Sequence, residues 1–359
     1  MDFTTGGRMD ITITPADVGK RVSVRRLNDI GAGPEKFTDT VGVLTSWTEG
    51  VLHITRRTGE TVHIAQTALV AGKVVPAAPA RRRGPAASAR ELDLVAARAW
   101  PPVESEPLGE WLLRAAVRDA PKDARPGGGQ ERAGFTRRAN SVLAVGDPGL
   151  PLDRALARIT EWYAARGLPP LVQLSTGAAD TQEALAAELA ARGWLCEVSA
   201  EVRIAPLAPL ADLPADTSRV RLTRDLDDAW LARYQRAAAP GDTVRRVLRC
   251  GPSVWFAAVP GPEAGIPLAI GRCAVDGRWA GFTAVEVDPG SRRQGLARAV
   301  MAALARQALD EGASAAYLQV ETDNGGARAL YDGMGFTTHH SYHHWRAPRA
   351  GQMPDRTTP

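Results

Sequence analysis

The chain predicts an α+β protein: a small N-terminal β-barrel, then two α/β units with mixed central sheets, the first a degenerate copy of the second. Three observations carry this reading. Residues 10–76 hold several short alternating runs bounded by turn residues, the pattern of antiparallel strands. Residues 217–346 follow the order β-α-α-β-β-β-α-β-α-β, with apolar residues at helical spacing where helices fall. Residues 91–206 run strand, strand, helix, strand, helix, strand, which repeats the later part of that order. A length of 359 residues also calls for two or three domains.

In the first unit, strand patterns fall at residues 10–14, 19–25, 39–44, 51–54 and 61–64, and Arg57-Thr58-Gly59-Glu60 reads as a hairpin turn. So many short strands in so few residues resemble an SH3-like barrel, a module that serves as a scaffold or docks a partner. Residues 77–90, rich in Pro, Ala and Arg, read as a tether with no apolar face. In the second unit, residues 110–118 and 134–145 read as strands, joined through Gly127–Gly129. Leu152 to Arg166 is an amphipathic helix that Gly167 ends, residues 171–174 a strand, Gln182 to Arg192 a helix closed by Gly193-Trp194, and 194–204 a strand. Trp111, Trp162 and Trp194 are its expected core. In the third unit, residues 218–222 are a strand, and Asp225 and Asp242 open two helices. Strands at 254–259, 268–274 and 278–287 precede the loop discussed next, and residues 347–359 read as a disordered tail.

Residues 285–297 are the most informative stretch: Val-Glu-Val-Asp-Pro-Gly-Ser-Arg-Arg-Gln-Gly-Leu-Ala. A strand runs into a short loop, and a long Ala/Leu helix follows at once. The first N–H groups of a helix have no internal partner and carry the positive end of its dipole, so such a loop holds an anion. Gly295 lets the backbone approach a diphosphate, Ala297 keeps the first turn clear, and Arg292 and Arg293 add charge. The equivalent stretch of the second unit, Gly146-Asp-Pro-Gly-Leu-Pro-Leu-Asp, lacks these features, and Pro151 removes an amide.

The spacing Arg292-x-x-Gly295-x-Ala297 resembles the acetyl-CoA loop of the GNAT superfamily. Downstream lie a strand at 316–321, then Asp323-Asn324-Gly-Gly-Ala327-Arg-Ala-Leu330-Tyr331, then Gly335-Phe336, which resemble the family's second signature in the right order. The whole chain is similar to an actinobacterial, mycobacterial GNAT group described as histone-acetyltransferase-like. The resemblance implies two GNAT-type units, of which residues 217–346 carry the chemistry. It implies acetyl-CoA as co-substrate and an N-acetyltransferase working by direct attack of a primary amine in a ternary complex. Backbone near Val285 and Val287 would meet the pantetheine arm, and Arg292, Arg293, Gln294, Gly295, Leu296 and Ala297 the diphosphate. Tyr331 stands at the family's general-acid position; the alternative is a packed aromatic. Asn324 either contacts the cofactor arm or caps a helix. Glu286 is the candidate general base, or a solvated strand residue, and Glu321 is the runner-up. His339, His340, His343 and His344 read as strand residues lining the acceptor pocket or a polar edge, one of them a further candidate base, rather than a metal site.

The remaining properties are bland. A formal charge of +4 argues for neither nucleic acid nor membrane as partner. Cys196, Cys250 and Cys273 show no metal spacing, no run reaches membrane length, and the first residues lack a signal-peptide core, so a cytoplasmic setting is expected. One expected acceptor is a protein lysine or N-terminal amine, with the barrel as its docking module. Alternatives are a small amine or antibiotic, or a non-catalytic acyl-CoA sensor or nucleic-acid-binding regulator using the barrel and the Arg81–Arg83 run.

Overall fold

The computed structural model describes residues 11–28, 37–56, 58–75, 85–119, 133–234, 241–261 and 265–348. Arg57, the Arg81–Arg83 run, the Gly127–Gly129 connection and the tail beyond Pro348 lie outside the described residues.

The first segment contains β1 (Arg21–Leu27), β2 (Phe37–Thr48), β3 (Val51–Thr55), β4 (Thr61–Ala65) and β5 (Leu69–Val74). The expected barrel is an open five-stranded antiparallel sheet, ordered β4-β3-β2-β1-β5. A short 3-10 turn, Gln66–Ala68, carries the chain from one edge to the other, where β5 pairs with β1 through a bulge at Arg25/Arg26; no ladder joins β4 to β5. Alternation places Val22, Val24, Leu44, Leu52, Ile54 and Ile64 in its core. Of the strand expected over 10–14, the described residues 11–14 form a single bridge, Ile11 to Gly72, whereas β5 is a strand absent from the sequence reading.

The next segment contains α1 (Ala89–Ala99), β6 (Glu104–Leu108), β7 (Trp111–Ala115), β8 (Val142–Leu143), α2 (Leu152–Ala164), β9 (Leu171–Thr176), α3 (Glu183–Ala191) and β10 (Leu195–Pro206). Then come α4 (Leu207–Ala211), β11 (Arg221–Thr223), α5 (Asp228–Arg233), α6 (Asp242–Arg249), β12 (Val254–Val259), β13 (Ala269–Asp276), β14 (Trp279–Val287), α7 (Leu296–Asp310), β15 (Ala315–Glu321), α8 (Gly325–Asp332) and β16 (Thr337–Arg346). Helix α1 is an element the sequence reading does not contain; only its first two residues fall in the expected tether. Ser88 caps it by accepting from Glu91 N, and Leu92, Val95, Ala96 and Ala99 form its buried stripe.

The strand expected over 134–145 shrinks to β8. Asn140 explains the difference: its Oδ1 accepts from Ala116 N at 2.8 Å, and its Nδ2 donates to the carbonyls of Phe135 (2.8 Å) and Thr136 (2.9 Å). Those bonds fold the backbone into a turn and take it out of the ladder.

All these strands form one sheet of eleven, ordered β11-β12-β13-β14-β15-β10-β16-β9-β8-β7-β6. The order contains an exchange. β10 follows β9 and α3 in sequence but pairs with β15, and β16 follows β15 and α8 but pairs with β9. The pairing between them is symmetric about Ala200 and Tyr342: Ser199 faces His343 on one side, Glu201 faces Ser341 on the other. One face of the sheet carries α7 and α8 over β12–β15, and α2 and α3 over β7–β9. The opposite face packs on α1, α5 and α6 through Trp100, Trp230, Phe256, Trp279 and Tyr342. Trp111, Trp162 and Trp194 all lie in the cluster under α2 and α3.

Candidate active site

The site is built where β14 parts from β15 while keeping its ladder with β13. β14 pairs in parallel with β15 only from Trp279 to Phe282, while β15 keeps its bonds to β10 out to Glu321. The divergence begins at Ala284, whose φ of 52° is costly for a residue with a Cβ. The β13–β14 register slips at the same place, between Ile270/Glu286 and Arg272/Thr283. Gly271 lies in that slip, and a Cβ there would come within 2.4 Å of Val300 Cγ1 on α7, so glycine is what lets the helix lie close to the bulge. Past Ala284 the β14 backbone therefore faces a gap beside β15.

The loop after β14 closes onto α7. Asp288 accepts from Gly290 N at 3.0 Å and pairs with Arg233 Nη2 at 2.9 Å, which fixes the loop's entry. Arg293 has φ 65°, and Gly295 sits at the helix N-cap with φ 80° and ψ 0°. Glycine has no side chain to cap the helix, so the first-turn amides of α7 stay available to an outside acceptor. Space above Gly295 is open: a Cβ there would touch nothing within 4 Å. Arg292 and Arg293 are exposed and form no ion pair among the described residues. A pocket of about 270 Å³ lies beside this turn, lined by Gln294, Gly295 and Leu296 with Arg219 and Arg298. Unpaired amides, the helix dipole and four guanidinium groups make this a place for a diphosphate.

The corresponding turn before α2 is already filled. Glu110 Oε2 accepts from Asp147 N at 2.8 Å, and Asp147 Oδ1 accepts from Gly149 N at 2.7 Å. Pro151, without an N–H, is the N-cap. Two carboxylates stand where an anionic ligand would have to bind.

The predicted residues divide between the two faces of the sheet. Val285, Val287, Leu296 and Tyr331 all pack into the cluster under α7. The Tyr331 ring is half-buried and meets Phe336 edge-on at 5.8 Å. Glu286 lies on the other face, because it stands opposite Ile270, which packs with α5 and α6. Glu321 shares that face: its cross-strand partner Ala200 belongs to the same cluster. The two candidate bases thus flank the β14–β15 gap on one side, and the candidate acid and the loop lie on the other. Asn324 caps α8, accepting from Ala327 N at 3.1 Å.

The histidines do not form an edge, because β16 has β10 on one side and β9 on the other. A register slip beside His339 turns it to the same side as His340, and their Nδ1 atoms lie 2.8 Å apart. His340 Nε2 is 3.2 Å from Asp93 Oδ1 of α1, and Ser175 Oγ donates to Asp93 Oδ2 at 2.7 Å. His343 bonds Ser199 Oγ and Thr176 Oγ1, each at 2.8 Å. Burial first, then the neighbouring His340, push its imidazole down to about 4. Burial, helped by Arg114, Arg137 and Arg138, holds His344 well below the usual histidine range. Among the described residues no three His, Cys, Asp or Glu side chains are grouped to hold a metal ion.

Sequence reading missed Glu110, which fills the second turn, and Arg138, whose Nη1 donates to Gln319 Oε1 at 2.7 Å on the face of Glu286 and Glu321. Arg138 falls where a strand was expected; Asn-Ser after two arginines was the available turn signal.

Fold and loop together define a GNAT-family acyltransferase. Residues 86–345 match the family described as probable histone acetyltransferase Rv0428c C-terminal, and the chain belongs to that family. It is 28% identical, over 360 residues, to the probable histone acetyltransferase Rv0428c of Mycobacterium tuberculosis, covering 93% of this chain and 97% of that one. Among solved structures, a GCN5-related N-acetyltransferase from Kribbella flavida aligns with a TM-score of 0.50 at 17% identity, covering 74% of this chain and 97% of its own. A tandem GNAT protein from the clavulanic acid biosynthesis pathway gives 0.50 at 14% identity, covering 75% and 91%. At these identities the two structures speak for the fold alone. Among the described residues no helix is long and apolar enough to cross a membrane.

Proposed function

We propose that this chain transfers the acetyl group of acetyl-CoA to a primary amine by direct attack, with one working site formed by residues 217–346. The observation that carries the reading is the open anion-binding turn at Arg292–Ala297 beside the β14–β15 gap, set against the carboxylate-filled turn before α2. Acetyl-CoA supplies the thioester. The amides and arginines of the turn hold its diphosphate, and the β15-facing edge of β14 past Phe282, where the parallel ladder has ended, lines the arm near Val285 and Val287. Glu286, or Glu321 beyond the gap, takes the proton of the incoming ammonium. As the new C–N bond forms and the C–S bond breaks, Tyr331 gives its proton to the departing sulfur, and the surplus proton of the new amide nitrogen passes through water to the Tyr331 phenolate. Placement on opposite faces suits this division, since the acyl carbon then lies in the gap between base and acid.

In this reading residues 91–206 are a GNAT-like copy that binds no acetyl-CoA. The N-terminal sheet serves as a scaffold more than a docking surface. Its β3–β4 turn meets the His343 ring at Gly59, on the α3 side of the sheet, away from Glu286 and Glu321.

The test is calorimetry of acetyl-CoA with the full chain. One site per chain is expected, and Gly295→Glu, which puts a carboxylate over the turn, should abolish it. Unchanged affinity in that variant would remove the loop from the site. Tyr331→Phe should lower kcat by about 10²–10⁴ with little change in cofactor affinity; unchanged turnover at saturating cofactor would remove the tyrosine from the chemistry.

A further inference from the structure

We propose that the acceptor is a small amine carrying its own acid group, and that Arg138, supplied by the segment before the catalytic one, is the residue that binds that acid. The inference rests on the acetyl-CoA reading of the site and adds to it the class of acceptor.

Position is the first argument. Arg138 lies in the turn between β7 and β8 that Asn140 folds. Its guanidinium stacks 4.6 Å above the Trp100 ring centre, and Trp100 Nε1 is itself tied to Thr136 Oγ1 at 3.0 Å. Held this way, Arg138 reaches across to Gln319 of β15. Gln319 and Glu321 are two residues apart on one strand and share a face, so they are separated by about 7 Å. The cation thus stands at Gln319, two strand residues along one face from Glu321, a carboxylate proposed to accept the amine proton. An acceptor with an ammonium at one end and a carboxylate at the other spans that distance.

Charge is the second argument. Many arginines of this chain have a carboxylate partner: Arg233 pairs with Asp288, Arg203 with Asp332, Arg278 with Glu91. Arg138 forms no ion pair among the described residues; its hydrogen bond goes to the neutral Gln319. Its cationic neighbours on this face are alike. Buried Arg272 donates to the carbonyls of Leu248, Ala99 and Cys250, and buried Arg114 to Ser141 and Gln173. Behind burial, Arg114, Arg137 and Arg138 help keep His344 neutral, and its two ring nitrogens have no hydrogen-bond partner among the described residues. A half-buried guanidinium whose side-chain bond goes to a neutral amide keeps donors for an acid, and a carboxylate offers its planar fork a two-bond match. A lysine-rich peptide would instead bring further ammonium groups towards Arg138, which opposes binding.

The experiment compares full-length wild type, Arg138→Gln and Arg138→Lys by thiol release from acetyl-CoA. Matched acceptors differ in the acid alone: free α-amino acids against their carboxamides, and L-lysine against cadaverine, with a lysine-rich peptide alongside. The wild type should favour the acid-bearing member of a pair by about tenfold to a hundredfold in kcat/KM, the worth of one charge-assisted contact. Arg138→Gln should collapse that ratio towards one through KM, and Arg138→Lys should restore part of it. Calorimetry with acetyl-CoA on the same three proteins shows whether each is folded. If acetyl-CoA binds once per chain but the wild type shows no acid preference, or uses only acid-free amines or the peptide, this inference fails alone. It also fails if Arg138→Gln keeps the wild-type ratio. If the wild type does not bind acetyl-CoA, the reading of the site fails and takes the inference with it.

Discussion

His343 gives the chain a pH dependence of stability whose size follows from its surroundings. The imidazole is fully buried between β9 and β10, and burial lowers it from 6.5 to about 4. An unfolded chain binds a proton at this residue as pH falls through 6.5, while the folded chain does not until about 4. The folded state therefore has its full advantage above pH 6.5 and loses it between 6.5 and 4. One pH unit of differential protonation is worth about 1.4 kcal/mol, so the loss is about 2 kcal/mol at pH 5 and about 3 kcal/mol at pH 4. His344 acts in the same direction. Carboxylates held low by arginines, such as Glu104 and Glu197, add their losses mainly below this window. The assay is urea unfolding at pH 7.5 and 5.0, followed by tryptophan emission from the nine Trp residues. With a slope of about 2–3 kcal/mol per molar urea, the wild-type midpoint should drop by about 0.7–1 M. His343→Gln should be less stable at pH 7.5 but should show a smaller drop to pH 5.0. Equal midpoints at the two pH values, or a variant with the full wild-type drop, would refute the argument.

Two further outcomes follow from packing. Gly271→Ala sets a methyl 2.4 Å from Val300, so α7 must move; about 1–3 kcal/mol of stability should go, and acetyl-CoA affinity with it, read by urea unfolding and calorimetry. A fragment of residues 207–359 lacks β10, so β15 loses its antiparallel neighbour and β16 both of its own. It should aggregate or stay unfolded by circular dichroism, and a folded monomeric fragment would show that the strand exchange is dispensable.

What could be read from the sequence was local. The turn at Arg292–Ala297 announces itself because strand, glycine and helix follow one another within a few residues, and the same is true of the strand and helix order from 217 to 346. The exchange of β10 and β16 was not legible, since nothing in either strand's own residues says which neighbour it will choose; both are long and mixed in character. Nor was the face of Glu286, which depends on Ile270 across the ladder. Helix α1 was missed although Ser88, Glu91 and the Leu92/Val95/Ala96/Ala99 spacing spell it out, because the Ala- and Arg-rich stretch before it reads as tether. The segment at 134–145 misled because its apolar alternation is real, and only Asn140's three bonds decide against a ladder.

The exchange bears on why a segment with a filled anion turn stays attached to one with an open turn. Selection for acetyl-CoA binding alone would leave residues 91–206 free to decay. They cannot be removed without stripping β15 of β10, and β15 is the strand that carries Gln319 and Glu321 along one side of the gap. The same segment supplies Arg138 to that side of the gap and Asp93 to His340. Under the proposed reading, its helix-side turn could therefore take up Glu110 and Asp147 at no loss to the segment with the open turn, while β10 remained tied to the fold and the β7–β8 turn to the proposed acceptor contact. On this argument a substitution at Glu110 and one at Arg138 should separate cleanly: the first should change stability around Trp111 and Arg90, the second the choice of acceptor.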